Sequence, residues 1–421
     1  MSGEAANTLS SLNGLFKETY GDQLKELIPD GVKLLNKIKF MSKDKQPGNL
    51  FHQPVILGME HGVTFASSDE DAFNLNPPVA GIIKDATIKG NPIVMRSLLG
   101  YVAASRAMQG DKQSFKDATK FLVANMLRSM AKKLEVQMLY GQASYGAISA
   151  VSGTELTIKT AEWAPGIWAG AEGMPIEIRT YQAAGDTPGS SSSRGEAVVK
   201  SVNLDSRTVT LQSEVVGIVT TASQEDVIFH KGAFGNEFPG IHKIINQSSG
   251  SLFGINVADY NLFQGNKFSA GSAALSFTKL NLAAARAVEK GLDGKLLALV
   301  NPRAWANMLS DQAALRRYDS SYSSAETTRG SRSIKFFSQN GEIEIEPSIY
   351  VKEGFCYLLS LEDWYRVGST DMTFKRPGQG DEFFRDLENS AAYELRLYSD
   401  QAVFCCAPGR NTLVTDIVNA T

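Results

Sequence analysis

The sequence has little net charge, few cysteines and no long hydrophobic run, and each shortage excludes a class of protein. Its 421 residues include 42 lysines and arginines against 45 aspartates and glutamates, for a formal net charge of −3. A protein that binds nucleic acid tightly has an excess of basic residues on its binding surface. Any contact of this chain with DNA should therefore be weak and non-specific. No apolar run reaches the roughly 18 residues that a membrane-spanning helix requires. We therefore expect no membrane partner.

Cysteine is scarce, and the three cysteines do not form a disulfide framework. Cys356, Cys405 and Cys406 are odd in number and lack framework spacing, which favours a reducing compartment. If Cys405 and Cys406 lie in one strand, their side chains point to opposite faces. Small core residues are then the expected role, rather than a redox pair. The first ten residues also lack the basic segment and apolar core of a secretory signal.

Motifs of catalysis and of cofactor binding are missing. The four histidines, His52, His61, His230 and His242, include no i, i+4 pair for a zinc helix, and no two cysteines have C-x-x-C spacing. There is no G-x-S-x-G nucleophile turn, no Walker loop and no G-x-G-x-x-G motif. The acidic run 69–71 is typical of a solvated loop tip, since a hard-cation site needs six or more oxygen ligands. We therefore predict no catalytic, cofactor-binding or metal residues, and the missing motifs favour a structural role without excluding catalysis.

What the sequence does contain is one very long helical pattern, residues 111–142. Asp111 is suited to cap its start and Gly141 to end it, with no proline or glycine between them. Its apolar residues recur at helical spacing on one face: Phe115, Leu122, Val123, Met126, Leu127, Met130, Leu134 and Met138. The opposite, polar side carries Asp117, Arg128, Lys132 and Glu135. At 1.5 Å per residue the helix is roughly 45 Å long, which suits a spine against which sheets pack.

Residues 48–100 have the pattern of a long hairpin with an open tip. Residues 53–57 form the outgoing strand, and 85–88 and 93–99 form the return, with a break at Pro92. The polar linker between them is too long for a tight turn, and about 12 residues each way can reach roughly 40 Å. Such a hairpin cannot bury both faces within its own domain. It is therefore either mobile or covered by a neighbouring chain.

After the long helix the pattern changes to short strands. The segments that alternate or are β-branched are 155–159, 175–181, 197–202, 207–212 and 226–230. Residues 203–206 form a turn between two of them. Five short strands in one stretch indicate a small barrel or sandwich inserted into the host domain.

Strands and helices then alternate, as in an α/β layer. Ser276 caps a helix over 277–290, and Asn301 caps a second helix with Pro302 at its first position. The predicted strands are 295–300, a hairpin over 334–345 around Asn340-Gly341, 355–361, and the β segment 372–418. Residues 318–332 form a polar, serine-rich loop.

Two stretches are similar to a known protein family. EFPGIHKII, SLFGINVADY and FQGN, within residues 237–266, resemble the peptide before the α/β domain in major capsid proteins of tailed bacteriophages. NPRAWANML, residues 301–309, resembles the strand-to-helix step of that domain. The order of parts is similar along nearly the whole chain. The resemblance implies the α+β fold of those proteins, with an arm, an extended loop, a spine helix with a long sheet, and an axial domain, plus an inserted small β-barrel.

The resemblance also assigns a role to each part of the chain. The implied parts are the N-terminal arm (1–47), an extended loop that lies over a neighbouring subunit (48–100), the peripheral domain with the spine helix (101–149), the inserted β domain (150–232), a connecting segment (233–269), the axial domain (270–365) and the C-terminal part of the peripheral sheet (366–421). Residues 318–332 would lie near the symmetry axis of a hexamer or pentamer. Some members crosslink a lysine to an asparagine. Lys84 and Lys89 lie in the right region, but no partner is marked, so we predict no crosslink.

The partners implied by the resemblance are those of a phage shell. The chain would assemble with itself, as hexamers and pentamers, into the icosahedral shell around a double-stranded DNA genome. It would be assembled in the host bacterial cytoplasm and reside in the virion. A portal protein and a decoration protein are further implied partners. Because the arm is short, we also expect a separate scaffolding protein.

Two other functions are compatible with the same sequence. A bacterial nanocompartment shell shares the implied fold and encloses an enzyme cargo rather than a genome. A hydrolase or carbohydrate-binding protein is the alternative from another class, with Trp163 and Trp168 of the β module stacking on sugar. Against that role, aromatic residues dominate protein cores, so we expect both tryptophans to pack inside the module or at its base.

Overall fold

The computed structural model describes residues 32–41, 50–69, 72–101, 112–181, 192–221, 224–309, 334–338, 341–375, 384–387 and 390–419. Within these ranges the helices are α1 (Leu34–Lys37), α2 (Lys112–Tyr140), α3 (Pro165–Trp168), α4 (Ile241–Asn246), α5 (Phe277–Glu289) and α6 (Pro302–Leu309). The strands are β1 (Phe51–Gly58), β2 (Ile82–Ile88), β3 (Asn91–Gly100), β4 (Gly146–Ser152), β5 (Glu155–Ile158), β6 (Pro175–Tyr181), β7 (Ser193–Asn203), β8 (Thr208–Leu211), β9 (Thr220–Thr221), β10 (Gln224–His230), β11 (Ser251–Leu252), β12 (Ile255–Asn256), β13 (Asn266–Ala273), β14 (Leu296–Val300), β15 (Ile334–Ser338), β16 (Gly341–Pro347), β17 (Cys356–Leu359), β18 (Trp364–Thr373), β19 (Phe384–Leu387), β20 (Ser390–Cys405) and β21 (Thr412–Ile417).

The long helix predicted over 111–142 is present as α2. Met130, on the predicted apolar face, is fully buried. Toward its end the helix is buried on every side, because residues 134–141 all lie inside the protein. The predicted polar side is therefore wrong at Glu135, whose side chain is fully buried. The predicted cap Asp111 lies outside the described residues.

Glu135 is buried because it caps another helix. Its Oε1 accepts hydrogen bonds from the backbone N–H groups of Lys33 (3.0 Å) and Leu34 (2.9 Å), and its Oε2 accepts one from Leu35 (2.9 Å). These donors lie at the start of α1, where N–H groups have no partner within the helix, and the side chain of Lys33 does not cap them. Glu135 thus acts as the N-cap of α1, although it lies about 100 positions later in the sequence.

Residues 32–41 form a strap that crosses three parts of the subunit. Beyond its bonds to Glu135, the strap buries Ile38, whose carbonyl oxygen accepts a hydrogen bond from Nε of Arg366 on β18 (2.9 Å). The ammonium of Lys37 lies 2.6 Å from a carboxylate oxygen of Glu346 on β16. The strap therefore ties the spine helix to two different sheets.

The helix ends where another segment approaches its backbone. A Cβ atom on Gly141 would collide with the carbonyl oxygen of Phe238, and the N–H of Gly240 donates to the carbonyl of Gly141 at 2.8 Å. The left-handed residue is Gln142, with φ of 59°. Gly141 was predicted as the stop, and its glycine is required by this close approach rather than by its own backbone conformation.

The predicted hairpin is only partly one unit. β1 and β2 pair antiparallel, from Phe51 opposite Ile88 to Gly58 opposite Ile82. The second part of the predicted return, 93–99, does not continue this hairpin, because β3 pairs along its length with β20. β20 is the long central strand of a four-stranded sheet, with β3 on one side and β18 and β19 on the other.

The inserted module is a closed barrel. Its strands follow the order β4-β5-β8-β7-β6-β10-β9, and β4 also pairs with β10, so that the ring closes. Of the two predicted architectures, barrel and sandwich, the barrel is therefore confirmed. It begins with β4 at Gly146, ahead of the predicted boundary at 150. The turn over 203–206 is present, held by Oδ1 of Asn203, which accepts from the N–H groups of Asp205 and Ser206.

The base of the barrel is joined to the segment before β17. The N–H of Glu353 donates to the carbonyl oxygen of Trp163 at 2.9 Å. The guanidinium of Arg207 pairs with the carboxylate of Glu353 through two hydrogen bonds, at 3.2 and 3.0 Å. Lys352, almost fully buried, forms an ion pair with Glu162. The barrel is thus fixed to the rest of the subunit by buried, charge-assisted contacts.

The predicted α/β layer is a mixed sheet in the order β13-β21-β17-β14-β16-β15. Both predicted caps are present: Ser276 Oγ accepts from the N–H of Lys279, and Asn301 Oδ1 from the N–H of Arg303. β15 and β16 form the predicted hairpin. The serine-rich loop over 318–332 lies outside the described residues.

The end of the chain crosses from one sheet to the other. β20 belongs to the four-stranded sheet, but β21 pairs with β13 and β17 of the six-stranded sheet. The expectation that all of 366–421 supplies the sheet beside the spine is therefore wrong for Thr412–Ile417. The chain thus connects the two sheets directly, and it enters the core of the second sheet, where Leu413 and Val414 are fully buried.

Replacing Glu135 should release the strap. In Glu135→Ala three helix-start N–H groups lose a charged acceptor inside the protein, so we expect the free energy of unfolding to fall by about 2–4 kcal/mol. Glu289→Ala, on the exposed side of α5, is the matched control and should change it by less than about 0.5 kcal/mol. Urea unfolding of the unassembled subunit, followed by tryptophan fluorescence, measures both. Equal losses in the two variants would contradict the capping role.

Candidate assembly surfaces

The hairpin of β1, β2 and the residues between them exposes an unusual amount of apolar surface. Phe65 is 91% exposed. The other large hydrophobic residues exposed along this stretch are Ile56, Met59, Val63, Phe73, Leu75, Val79, Ile82 and Ile83. So many exposed large hydrophobic residues on one segment of a folded chain are typical of a site of association. The prediction that the hairpin cannot bury both its faces within its own domain is thus confirmed for the described chain.

The hairpin is held in shape beyond the ends of its strands. The N–H of His61 donates to the carbonyl oxygen of Val79 at 3.2 Å. Farther out, the side-chain amide of Asn76 donates to the carbonyl of Val63 at 3.0 Å, and its backbone N–H donates to Oγ1 of Thr64 at 2.8 Å. These bonds join the outgoing and returning chains. An apolar surface that is already ordered loses less entropy when a partner binds it.

The base of the hairpin rests on the connecting segment, residues 233–269. The N–H of Thr87 donates to the carbonyl oxygen of Phe253 at 2.9 Å. The Phe253 ring lies edge-on to Phe404 of β20, with centroids 5.1 Å apart, and Phe51 contacts the same ring from β1. Phe253 has a left-handed φ of 53°. The aromatic residues of 234–266 were visible in the sequence, but no local pattern indicated that one of them supports the hairpin.

The two tryptophans proposed for sugar binding are in the core. Trp163 and Trp168 are buried, and their rings stack on each other with centroids 6.0 Å apart. No ring face is left for a carbohydrate. The interpretation that places a sugar on these residues is therefore wrong, and the prediction that they pack at the base of the module is confirmed.

The histidines are not brought together. His52 pairs with Asp85 across the hairpin at 2.6 Å, and His242 Nδ1 lies 2.9 Å from the hydroxyl of Tyr357. His61 lies in the hairpin loop and His230 at the end of β10. Among the residues that the structure describes, no cluster of three or more His, Cys, Asp or Glu side chains could hold a metal ion.

Two of the three cysteines are core residues, and the core role predicted for Cys405 and Cys406 is confirmed only for Cys405, because Cys406 follows the end of β20 and is half-buried. Cys356 and Cys405 are fully buried, and burial raises the pKa of both thiols. Burial also raises the pKa of the half-buried Cys406, to about 11. All three are free thiols. Elevated pKa values keep them protonated near neutral pH, where thiols are poor nucleophiles.

Shifted pKa values collect where the barrel joins the spine helix. Burial lowers the pKa of Lys133 to about 8, and the neighbouring Lys132 acts in the same direction. Burial raises the pKa of Glu237 to about 7, against the effects of the Gln142 N–H and of Lys133. Burial also lowers the pKa of His230 to about 4, so this imidazole is neutral at pH 7. The junction therefore contains a carboxyl group that titrates close to neutral pH.

No helix among the described residues is both long and apolar enough to cross a bilayer.

Solved structures similar to this chain include capsid proteins and an encapsulin. The capsid of cyanophage A-1(L) matches with 11% identity and a TM-score of 0.54, covering 97% of this chain and 99% of that one. The capsid of a native GTA particle matches with 9% identity and a TM-score of 0.50, covering 98% and 100%. The encapsulin of the holo-SrpI complex from Synechococcus elongatus PCC 7942 has a TM-score of 0.44 at 9% identity, covering 99% of each chain. The last value is too low to support a nanocompartment. No protein-family model matches the chain, and no curated protein matches its sequence.

The two capsid similarities extend over essentially the full length of the chain and show its fold. The fold is the mixed α/β fold of phage capsid proteins, here with a β-barrel. The resemblance to the major capsid proteins of tailed phages, first seen in the sequence, is confirmed at the level of the fold.

The titration of Glu237 gives stability a specific pH dependence. Its folded-state pKa lies above the ordinary value of 4.5, so its contribution to stability is present below pH 4.5 and is lost as the pH rises through about 7. Glu237→Gln stays neutral at every pH. We expect this variant to be more stable than the wild type by about 1–3 kcal/mol at pH 8 and equal to it near pH 4.5.

Urea unfolding of the unassembled subunit at both pH values measures this difference. The control is Glu155→Gln, at an exposed position on the barrel. A gain for Glu237→Gln that is the same at pH 8 and pH 4.5 would show that burial of the charge is not its cause.

Proposed function

We propose that the chain is the major subunit of the icosahedral shell of a tailed phage, assembling as hexamers and pentamers around double-stranded DNA. The observation that carries this proposal is the ordered, strongly apolar hairpin projecting from a capsid-type fold. When a neighbouring subunit covers this apolar surface, the surface is removed from water. The free energy gained by this burial favours association. A structural role also accounts for the lack of catalytic motifs. We therefore propose that the chain is not an enzyme.

The domain roles follow from the same proposal. The proposed parts are the arm (1–47), the extended loop (48–100, except for β3), the peripheral domain (101–149 with 366–421, including β3 and without β21), the connecting segment (233–269), the axial domain (270–365) and the inserted domain (150–232, with β4 extending it to 146). The strap belongs to the arm and is held by its own subunit through Glu135. The described part of the arm, residues 32–41, is thus anchored to its own subunit.

Charge supports weak contact with the genome. With a net charge of −3, the subunit lacks the excess of cations that drives tight, salt-dependent binding to phosphates. A shell lining of this kind encloses DNA without adhering to it. The further partners that we propose are a separate scaffolding protein, a portal protein and a decoration protein. The place of assembly is the host bacterial cytoplasm, and the final location is the virion.

Electron microscopy of the purified protein, alone and together with the products of its neighbouring genes, tests the proposal. We expect closed shells of uniform diameter with hexameric and pentameric units, and DNA-filled particles when the packaging proteins are present. Shells that enclose an enzyme and no DNA would identify a nanocompartment instead. A stable monomer under all conditions would overturn the structural role and return attention to the barrel as a ligand-binding module.

The hairpin should matter for assembly and not for folding. In Phe65→Ser a 91% exposed ring is removed, so we expect the unassembled subunit to unfold at the same urea concentration as the wild type. If a neighbour buries this ring, its loss costs about 2–3 kcal/mol per contact, and shell yield by sedimentation should fall at least tenfold. Val216→Ser, on the barrel and 75% exposed, is the matched control. An unchanged shell yield would exclude Phe65 from the contact.

A further inference from the structure

A cleft of about 280 Å³ lies between the spine helix and the base of the barrel. Its walls are mainly apolar and come from separate parts of the subunit, with Met95 on β3, Val136 on α2 and Ile167 on α3. The exposed residues Gly170 and Gly173, in the loop after α3, lie at its rim. A concave, mostly apolar site with few polar groups is the usual form of a small-molecule site. The volume of the cleft suits a small ligand.

One cation in the cleft has no strong acceptor within the protein. The partly buried Lys133 has its ammonium 3.3 Å from the Sδ atom of Met174 and 5.8 Å from the centre of the Tyr145 ring. Among the residues that the structure describes, no carboxylate forms an ion pair with it. An ammonium group has three N–H donors, and a thioether sulfur is a weak acceptor. The hydrogen-bonding capacity of Lys133 is therefore largely unused.

The other charged groups of the cleft are not available in the same way. The ammonium of Lys132 donates to the carbonyl oxygen of Ala169, and the exposed carboxylate of Glu172 acts on it as well. Arg128 has an interaction partner of its own. Burial lowers the pKa of His230 to about 4, so this imidazole is neutral at pH 7. The anchor for an anionic ligand is therefore Lys133 alone.

Glu237, in the connecting segment, sets the pH range in which Lys133 can attract an anion. Burial raises the pKa of Glu237 to about 7, and burial together with Lys132 lowers the pKa of Lys133 to about 8. Below pH 7 the carboxyl group is neutral and the ammonium is charged, so the pair is net positive. Above pH 8 the carboxylate is charged and the amine is neutral, so the pair is net negative. An anion should therefore bind best on the acidic side of neutrality.

We propose that the cleft is a binding site for a small amphipathic carboxylate, with its charged group on Lys133 and its apolar body against Val136 and Ile167. The carboxylate supplies a charge-assisted hydrogen bond, which is roughly twice as strong as a neutral one. Burial of the apolar body adds the hydrophobic contribution. The site goes beyond the proposed shell function, because it lies within one subunit and needs no neighbour.

Titration calorimetry of the full-length, unassembled subunit tests the site, with octanoate as the probe and octanamide as its uncharged analogue. At about pH 6 we expect octanoate to bind at least tenfold more tightly than octanamide, because only octanoate can pair with the ammonium. The affinity for octanoate should fall at least tenfold between about pH 6 and about pH 9, although octanoate is ionised at both. Equal affinities for the two compounds, or no binding of octanoate, would overturn the proposal.

Two substitutions locate the binding. Lys133→Met keeps the length of the side chain and removes its charge, so octanoate should lose its advantage over octanamide. Ser129→Phe places a ring in the cleft and should weaken the binding of both compounds at least tenfold. Lys200→Met, at an exposed position of β7, is the matched control and should bind both compounds as the wild type does. Unchanged octanoate binding in Lys133→Met and Ser129→Phe would place the ligand elsewhere and overturn the proposal.

The test does not depend on assembly or on any single variant. Urea unfolding shows whether each variant is folded, and the pH dependence is measured on the wild type. Binding also stabilises the folded state, so octanoate should raise the urea midpoint of the wild type more than that of Lys133→Met. If the wild type forms shells but binds no octanoate, the ligand site fails and the shell function stands. If it binds octanoate as expected but never forms shells, the proposed function fails and the ligand site stands.

Discussion

The final turns of the spine helix are the place where separate parts of the subunit are fastened together. Glu135 holds the strap, and the hydroxyl of Tyr140 accepts a hydrogen bond from the N–H of Lys352 at 2.9 Å. One residue later, Gly141 contacts the connecting segment. Each of these polar contacts is buried, so each loses the compensation of water if its partner moves. A displacement of any one part would leave unpaired polar groups inside the protein. The spine helix, the strap and the segments bonded to Tyr140 and Gly141 therefore hold their positions as one unit, called the plate below.

The hairpin follows the opposite physical rule. Its backbone is hydrogen-bonded out to Asn76, but its apolar side chains remain in water. The buried contacts of Glu135, Tyr140 and Gly141 hold the plate together within one subunit, whereas the hairpin gains stability only when another surface covers it. A subunit with both properties keeps its shape when alone and still has a reason to associate. Modest contacts are sufficient, because closed symmetry repeats each of them many times.

Local signals in the sequence predicted local structure well. The caps at Ser276 and Asn301, the hairpin at Asn340-Gly341 and the spine helix depend on neighbouring residues, and each is present. The failures all involve partners far apart in the chain. The role of Glu135 depends on N–H groups about 100 residues earlier. Packing between distant parts of the chain likewise decides the pairing of β3 with β20 and the crossing of β21. The periodicity of a local sequence does not contain this information.

The barrel has the topology of an insertion, because the chain enters it just after Gly141 and returns to Gly240, which is bonded to that same glycine. The stability of the barrel is nevertheless coupled to that of the rest of the subunit. The Trp163 carbonyl, Glu162 and Arg207 of the barrel side are bonded to the Lys352–Glu353 segment, and the stacked tryptophans lie in the common core. Removing the module would therefore strip partners from buried charges in the host. Substitutions in the outer strands of this barrel would leave these contacts intact. Substitutions at its base would have to be matched by substitutions in the Lys352–Glu353 segment, so we expect these two parts to vary together in evolution.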